Sequence, residues 1–278
     1  MTALVLLELQ KIFRKLRTYI GFIAIGIIVP IVQVALYIEG EKYINFATQN
    51  LKQSFMLVGN LLNGFLIANI ILQSLFIQIP FLIVLVGGDL LAGEATAGTY
   101  RMLLTRPLSR FKLITSKFIA GIVYTNLLIL WLAILSLGVS VLIFGTGEMI
   151  VLRDKVYIFA EKDVLWRFVL SYGFAALSMT TVMSLSFLFS SLVENAIGPI
   201  VATMAVIIIF LILSALPIDF LQNIKPFLFI THMTEWRAFM VDPVDYGSVV
   251  TSGLVLLGHI IGFYLITLYL FIKKDILS

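Results

Sequence analysis

Six apolar runs, each long enough to cross a hydrocarbon layer, leave this chain little choice of architecture. They lie at Tyr19–Ile38, Leu61–Val86, Phe118–Phe144, Phe168–Ser190, Gly198–Leu216 and Val249–Ile272, and a spanning helix needs about 20 such residues. The runs are continuous rather than alternating, so they read as helices that satisfy their own backbone in lipid. The expected fold class is an all-α membrane protein with six transmembrane helices. No linker, repeat or low-complexity tract divides it, which makes 1–278 a single domain. The charge content agrees: 12% of residues are charged, about half of what a soluble domain carries. The second run contains Asn63, Asn69, Gln73, Gln78 and Pro80, and a kink is expected where Pro80 removes a backbone donor.

Charge then assigns sides. An even number of spans puts both termini on one face. On that face lie Lys11, Arg14, Lys15 and Arg17, then Arg101, Arg106, Arg110, Lys112 and Lys117 between the second and third runs, then Lys273 and Lys274. That gives eleven cations, against eight on the opposite face: Lys42, Lys52, Arg153, Lys155, Lys162, Arg167, Lys225 and Arg237. The bias predicts cytoplasmic termini in a cytoplasmic (inner) membrane. The net charge of +4 is no nucleic-acid signal, because the cations cluster at the ends of apolar runs.

Val5, Leu9, Ile12, Phe13 and Leu16 share one helical face, with Glu8, Lys11, Arg14 and Lys15 on the other. Residues 1–18 therefore read as an amphipathic helix lying along the bilayer surface rather than as a cleavable leader. Across the membrane, residues 217–248 mix apolar and aromatic side chains (Phe220, Phe227, Phe229, Trp236, Phe239). Short helices packed on the span ends are expected to bury those rings.

Catalytic chemistry is sparse. The dipeptide Gly-Lys occurs nowhere in the chain, so no phosphate-binding P-loop exists. Zero cysteines exclude disulfides, thiolate catalysis and thiolate-held metal. His232 and Glu235 are three apart and could share a helix face, but stable metal sites need three or four ligands. An ordinary His–Glu hydrogen bond is the expectation, with no metal and no cofactor in this chain. His259 is expected to bond a neighbouring helix. Ser171, Ser178, Thr181 and Ser184 on the fourth span suit helix packing. Asn69, Gln73 and Gln78 on the second are the candidate substrate path.

That leaves the basic excursion 87–117, which interrupts the apolar runs with ordered turn residues. Gly93 and Gly98 loosen or turn the chain, Pro107 stops a short helix over Thr99–Thr105, and Ser109 is placed to cap the third span. The string Gly93-Glu94-Ala95-Thr96-Ala97-Gly98-Thr99-Tyr100, then Leu103-Leu104-Thr105-Arg106-Pro107-Leu108-Ser109-Arg110 and Lys117-Phe118, resembles the cytoplasmic segment of type-two ABC-exporter permeases. Phe271-Ile272-Lys273-Lys274-Asp275-Ile276 resembles the ending of that family. The resemblance covers essentially the whole chain. It implies a dimerising permease (homodimer or heterodimer) driven by two copies of a separate ATP-binding subunit, which would hold the ATP and Mg. It also implies that 87–117 carries a coupling helix, with Glu94, Gly98, Thr99, Arg101, Arg106, Pro107 and Arg110 at or beside the ATPase, and a smaller contact at Glu194 and Asn195. No substrate is carried over. An alternative within the same family is a complex that does mechanical or maturation work on an external partner protein, for example copper-enzyme assembly. A more distant one is an intramembrane metalloenzyme using His232 and Glu235.

Overall fold

In the computed structural model, residues 1–49, 61–96, 98, 109–153 and 155–273 are described. Helix α1 (Thr2–Phe13) turns at Arg14–Lys15 into α2 (Leu16–Ala47). Helices α3 (Gly64–Leu75) and α4 (Ile79–Gly87) lead into α5 (Asp89–Thr96). Helix α6 (Arg110–Ala133) continues through a π-helical turn at Ile134–Val139 into Ser140–Phe144. Then come α7 (Glu161–Leu192), α8 (Ile197–Ala215) and α9 (Tyr246–Lys273). The helices α2, α6 with its continuation, α7, α8 and α9 are each long and apolar enough to cross a membrane, and α3 with α4, bent by 54°, makes a sixth span if counted as one.

The bent pair bears out the expected kink but moves it. Pro80 sits in the first turn of α4, where its missing N–H costs nothing. The helix therefore breaks one turn earlier, over Phe76–Gln78. Ser109 caps α6 as expected, its hydroxyl accepting from the Lys112 amide at 3.3 Å.

Helix α7 is the hub, with most of its length buried and α4, α6, α8 and α9 packed around it. Its hydroxyls serve packing: Ser171 donates to the Trp236 carbonyl and Ser178 to that of Met233, while Thr181 and Ser184 bond their own helix. The outward faces of α2 and α8 carry Ile23, Ile27, Ile31, Val201, Ile209 and Ile212, side chains that suit lipid. The π-turn of α6 offers carbonyls no longer used within the helix. Gln33 of α2 donates to one of them, that of Leu135, and to the Ser140 hydroxyl, both at 2.9 Å.

Helix α3 begins against the far end of α6. Asn63 caps it, accepting from the Phe65 and Leu66 amides, and donates to the Glu148 carbonyl. A Cβ on Gly64 would lie 2.5 Å from the Val141 Cα and 2.6 Å from the Ser140 carbonyl oxygen. Backbone cannot step aside as a side chain can. Gly64→Ala is therefore expected to destabilise the bundle by about 1–3 kcal/mol, read as a lower unfolding midpoint of the purified protein. An unchanged midpoint would mean that α3 is free to stand further off.

The end remote from the termini has more structure than expected. An antiparallel hairpin, β1 (Met149–Leu152) with β2 (Val156–Phe159), pairs Met149 with Phe159. Residues 217–245 form short pieces at Asp219–Gln222, Lys225–Phe227, Phe229–Met233 and Thr234–Met240. Phe229, Trp236 and Phe239 are buried there as expected, but Phe220 and Phe227 are 71% and 76% exposed. They belong to the first two pieces, which lie out from the bundle.

Candidate functional site

At the end that carries the N-terminus, α1, α5 and the start of α6 meet through charge. Lys117 lies in the second turn of α6 and is 1% exposed. Lysine is almost never so buried without partners. Its Nζ sits 2.7 Å from Glu8 Oε2 and 2.7 Å from Glu94 Oε1. Lys11 closes the ring from the solvent side, 2.7 Å from Glu8 Oε1 and 2.9 Å from Glu94 Oε1. Two carboxylates and two ammonium groups thus neutralise one another. Burial alone would raise the Glu8 carboxyl, but Lys117 and Lys11 outweigh it and hold Glu8 below the usual carboxylate range. Burial alone would lower Lys11, and its bonds to Glu8 and Glu94 instead raise it.

A second clamp lies one turn earlier on α5. The buried Asp89 carboxylate meets Lys15 Nζ at 2.5 Å and Arg17 Nη1 at 2.6 Å. Asp89 stands at the N-terminus of its helix, where a negative charge is favoured by the helix dipole. The first-turn amides of α5 are satisfied from another helix altogether. Ser190 of α7 accepts from Leu91 N at 3.1 Å and Ala92 N at 2.9 Å, and donates to the Gly88 carbonyl at 2.6 Å. Helix α5 stops just before Gly98, whose φ of +65° is the left-handed turn that glycine adopts without a Cβ penalty. Thr96 donates to the Glu194 carbonyl at 2.8 Å, joining α5 to the α7–α8 turn.

The chain matches a family model described as "ABC-2 family transporter protein" over residues 2–276. It belongs to the ABC-2 transporter family. Among its curated relatives, an uncharacterized Bacillus subtilis (strain 168) protein, YhcI, is 27% identical over 213 residues, which cover 69% of this chain. The match spans 63% of that relative's own length. The ABC-2 protein is accordingly a multi-pass membrane protein of permease type.

Within this ABC-2 chain the residues singled out from sequence divide by location. Glu94 sits in the charge ring and Gly98 at the end of α5. Arg110 reaches the end of the last helix, its Nη1 donating to the Ile272 carbonyl at 2.8 Å and the Phe271 carbonyl at 3.3 Å. The Glu194 carboxylate is exposed, and Asn195 accepts from the Ile197 amide at the start of α8. Thr99, Arg101, Arg106 and Pro107 lie outside the described residues, as does the expected Thr99–Thr105 helix. Asn69 is buried, whereas Gln73 and Gln78 face outward at the break between α3 and α4. The three do not converge within one chain.

Glu8, Lys15, Arg17, Asp89 and Ser190 were not anticipated as members of the site, and Lys117 appeared only as its boundary. The amphipathic reading of α1 also needs amending. Glu8 turns inward to Lys117, and Leu16, placed on the apolar stripe, is 88% exposed because α1 ends before it and α2 sets off in a new direction. Two further expectations are corrected. His232 and Glu235 do not bond each other: His232 Nδ1 meets Ser252 Oγ at 2.9 Å and Nε2 the Pro226 carbonyl at 2.8 Å, while Glu235 accepts from Ser248 Oγ at 2.7 Å. His259 bonds the Val255 carbonyl of its own helix and stacks edgewise on Phe229 and Phe263.

Proposed function

We propose that this chain is the membrane half of an ATP-driven exporter, and that α5 with its charge ring receives the motion of a separate ATP-binding subunit. The observation that carries the reading is that α5 is tied to several neighbours at once: to the α1–α2 turn and α2 by Asp89, to α1 and α6 by Glu94, to α7 by Ser190 and to the α7–α8 turn through Thr96. A push on the segment after α5 is then delivered to the whole bundle rather than absorbed by a loop. The cation bias supports cytoplasmic termini, and on that reading this end would face a cytoplasmic motor. ATP and Mg belong to that subunit, present in two copies, since this chain lacks a P-loop. Thr99, Arg101, Arg106, Pro107 and the exposed Glu194 are the proposed contacts.

The cargo path is proposed along the broken span. Gln73, Ser74 and Gln78 are exposed on the surface of a single chain at mid-span. Hydrocarbon leaves such amides unsatisfied, and irregular backbone is tolerated at that depth only against protein or water. A second permease chain facing this surface would supply both.

The test uses the permease co-purified with its ATPase from membranes. Glu94→Gln and Arg106→Glu are expected to insert and assemble, yet to lose most of the transport-linked stimulation of ATP hydrolysis. Normal stimulation in both variants would remove α5 from the coupling role. A chain that is always recovered alone and conducts without ATP would overturn the exporter reading itself.

A further inference from the structure

At the end remote from the termini, Arg153 of the hairpin, the Thr234–Met240 segment and the residues leading into α9 form an open cleft of about 250 Å³, lined by Arg153, Thr234, Glu235, Arg237, Ala238, Val241 and Asp245. Two arginines, Arg153 and Arg237, contribute to this lining. Arg153 Nη1 lies 3.4 Å from the Arg237 carbonyl oxygen, and Arg237 stands over the Trp236 ring at 5.6 Å. Among the described residues, neither arginine has a carboxylate within ion-pair distance. The Nε of Arg237 is buried and has no hydrogen-bond partner. Burial, and then the charge of Arg153, disfavour its protonated form. The two carboxylates of the lining are engaged by Ser248: Glu235 accepts from its hydroxyl, and Asp245 from its backbone amide at 3.1 Å.

Like charges beside each other, with an unused buried donor, are costly unless something negative joins them. We propose that this cleft is an anion subsite, taking a phosphate or phosphate-like group between Arg153 and Arg237. The planar guanidinium fork matches such oxyanions in a bidentate manner. A cavity of this size is smaller than the usual site for a drug-sized ligand, so it takes a head group and not a whole oligomer. Glu235 and Asp245 in the same lining disfavour a highly charged anion and fit one that carries a cationic or hydroxylated substituent. A free solute phosphate and a lipid head group share this chemistry. The assignment rests on the remote end alone and is independent of the coupling role of α5.

The test follows Trp236 fluorescence and the unfolding midpoint of the full-length protein in detergent during titration with inorganic phosphate. A parallel series compares nanodiscs of phosphatidylglycerol with nanodiscs of phosphatidylcholine. Saturable phosphate binding, weakened about 10- to 100-fold in Arg237→Gln as expected for loss of a charge-assisted contact, supports a free anion. A midpoint raised by phosphatidylglycerol alone, and no longer raised in the variants, supports a lipid head group. Arg153→Gln guards against misfolding, because Arg153 is exposed and lies against a single carbonyl at 3.4 Å. If both variants respond as the parent protein does, or if neither probe produces a response, the subsite is refuted.

Discussion

Lys117→Met is expected to destabilise the protein by about 3 kcal/mol, since removing one partner of a buried ion pair costs roughly 3–5 kcal/mol and Lys11 remains to compensate in part. Methionine keeps the length and the apolar stem of the side chain, so the loss isolates the charge. Glu8 and Glu94 are then left facing each other with a half-exposed lysine between them. The companion triple variant, Lys117→Met with Glu8→Gln and Glu94→Gln, is expected to recover most of the loss, because no uncompensated carboxylate remains. Unfolding midpoints of the purified proteins measure both. A single variant within about 0.5 kcal/mol of the parent, the scatter typical of surface substitutions, would mean that the ring contributes nothing.

The same variant should acquire a pH dependence that the parent lacks. In the parent, Glu8 is held below its ordinary value of 4.5, so its contribution is present above that value and fades as pH falls through the lower one. Lys11 is held above 10.5, so its contribution is present below that value and is lost only as pH rises beyond it. Between these limits Glu8 and Lys11 both stay charged, and stability is flat on their account. Without Lys117, burial of Glu8 is opposed by Lys11 alone and its carboxyl rises. A raised carboxyl stabilises the fold below its unfolded value and less above it. The variant should therefore unfold at a higher temperature near pH 5 than near pH 8.

Arg167→Met is expected to cost about as much at the other end. Near the start of α7, Arg167 Nη1 donates to the carbonyls of Phe239 at 2.8 Å and Val241 at 2.9 Å, and Nη2 lies 3.3 Å from Asp242. Its guanidinium sits 4.2 Å from the Phe159 ring centre and 4.7 Å from that of Trp166. One side chain thus fastens the hairpin and the Thr234–Val241 segment to α7. Two carbonyls lose a donor at about 1–3 kcal/mol each when buried, and the cation–π contact adds about 0.5–2 kcal/mol. Lysine cannot fork between the carbonyls while lying flat on a ring, so Arg167→Lys should rescue little. Hydrogen exchange across residues 217–245 is the direct measurement: protection should fall there while α1 and α5 keep theirs. Full protection in Arg167→Lys would show that charge alone suffices.

The sequence made the spans legible because hydrocarbon imposes a length and a polarity that no local propensity overrides. Ser109 was legible for the same kind of reason, a cap with one job at one position. The π-turn at Ile134–Val139 was not, since its residues differ in nothing from the apolar run around them. Its one trace is Gln33, a polar residue on a helix more than a hundred positions away. The hairpin was hidden by its shortness, as Met149–Leu152 and Val156–Phe159 each pass for a loop until they pair. The charge ring illustrates the same limit. Glu8, Glu94 and Lys117 are visible individually, and the charge of Lys117 counts toward the choice of a side of the membrane. Nothing in local spacing says that they meet.

Ser190 makes α5 dependent on α7. The amides that open this short helix are satisfied by a hydroxyl on α7, nearly a hundred residues later. A chimaera that carries 87–117 of this chain into a permease without a hydroxyl at the position of Ser190 therefore brings a helix whose first turn has lost its acceptor. Moving 87–117 together with 1–17 and 161–195 keeps the Ser190 acceptor and the charged partners of Asp89 and Glu94 in one inheritance, and is the graft expected to leave this end of the bundle intact.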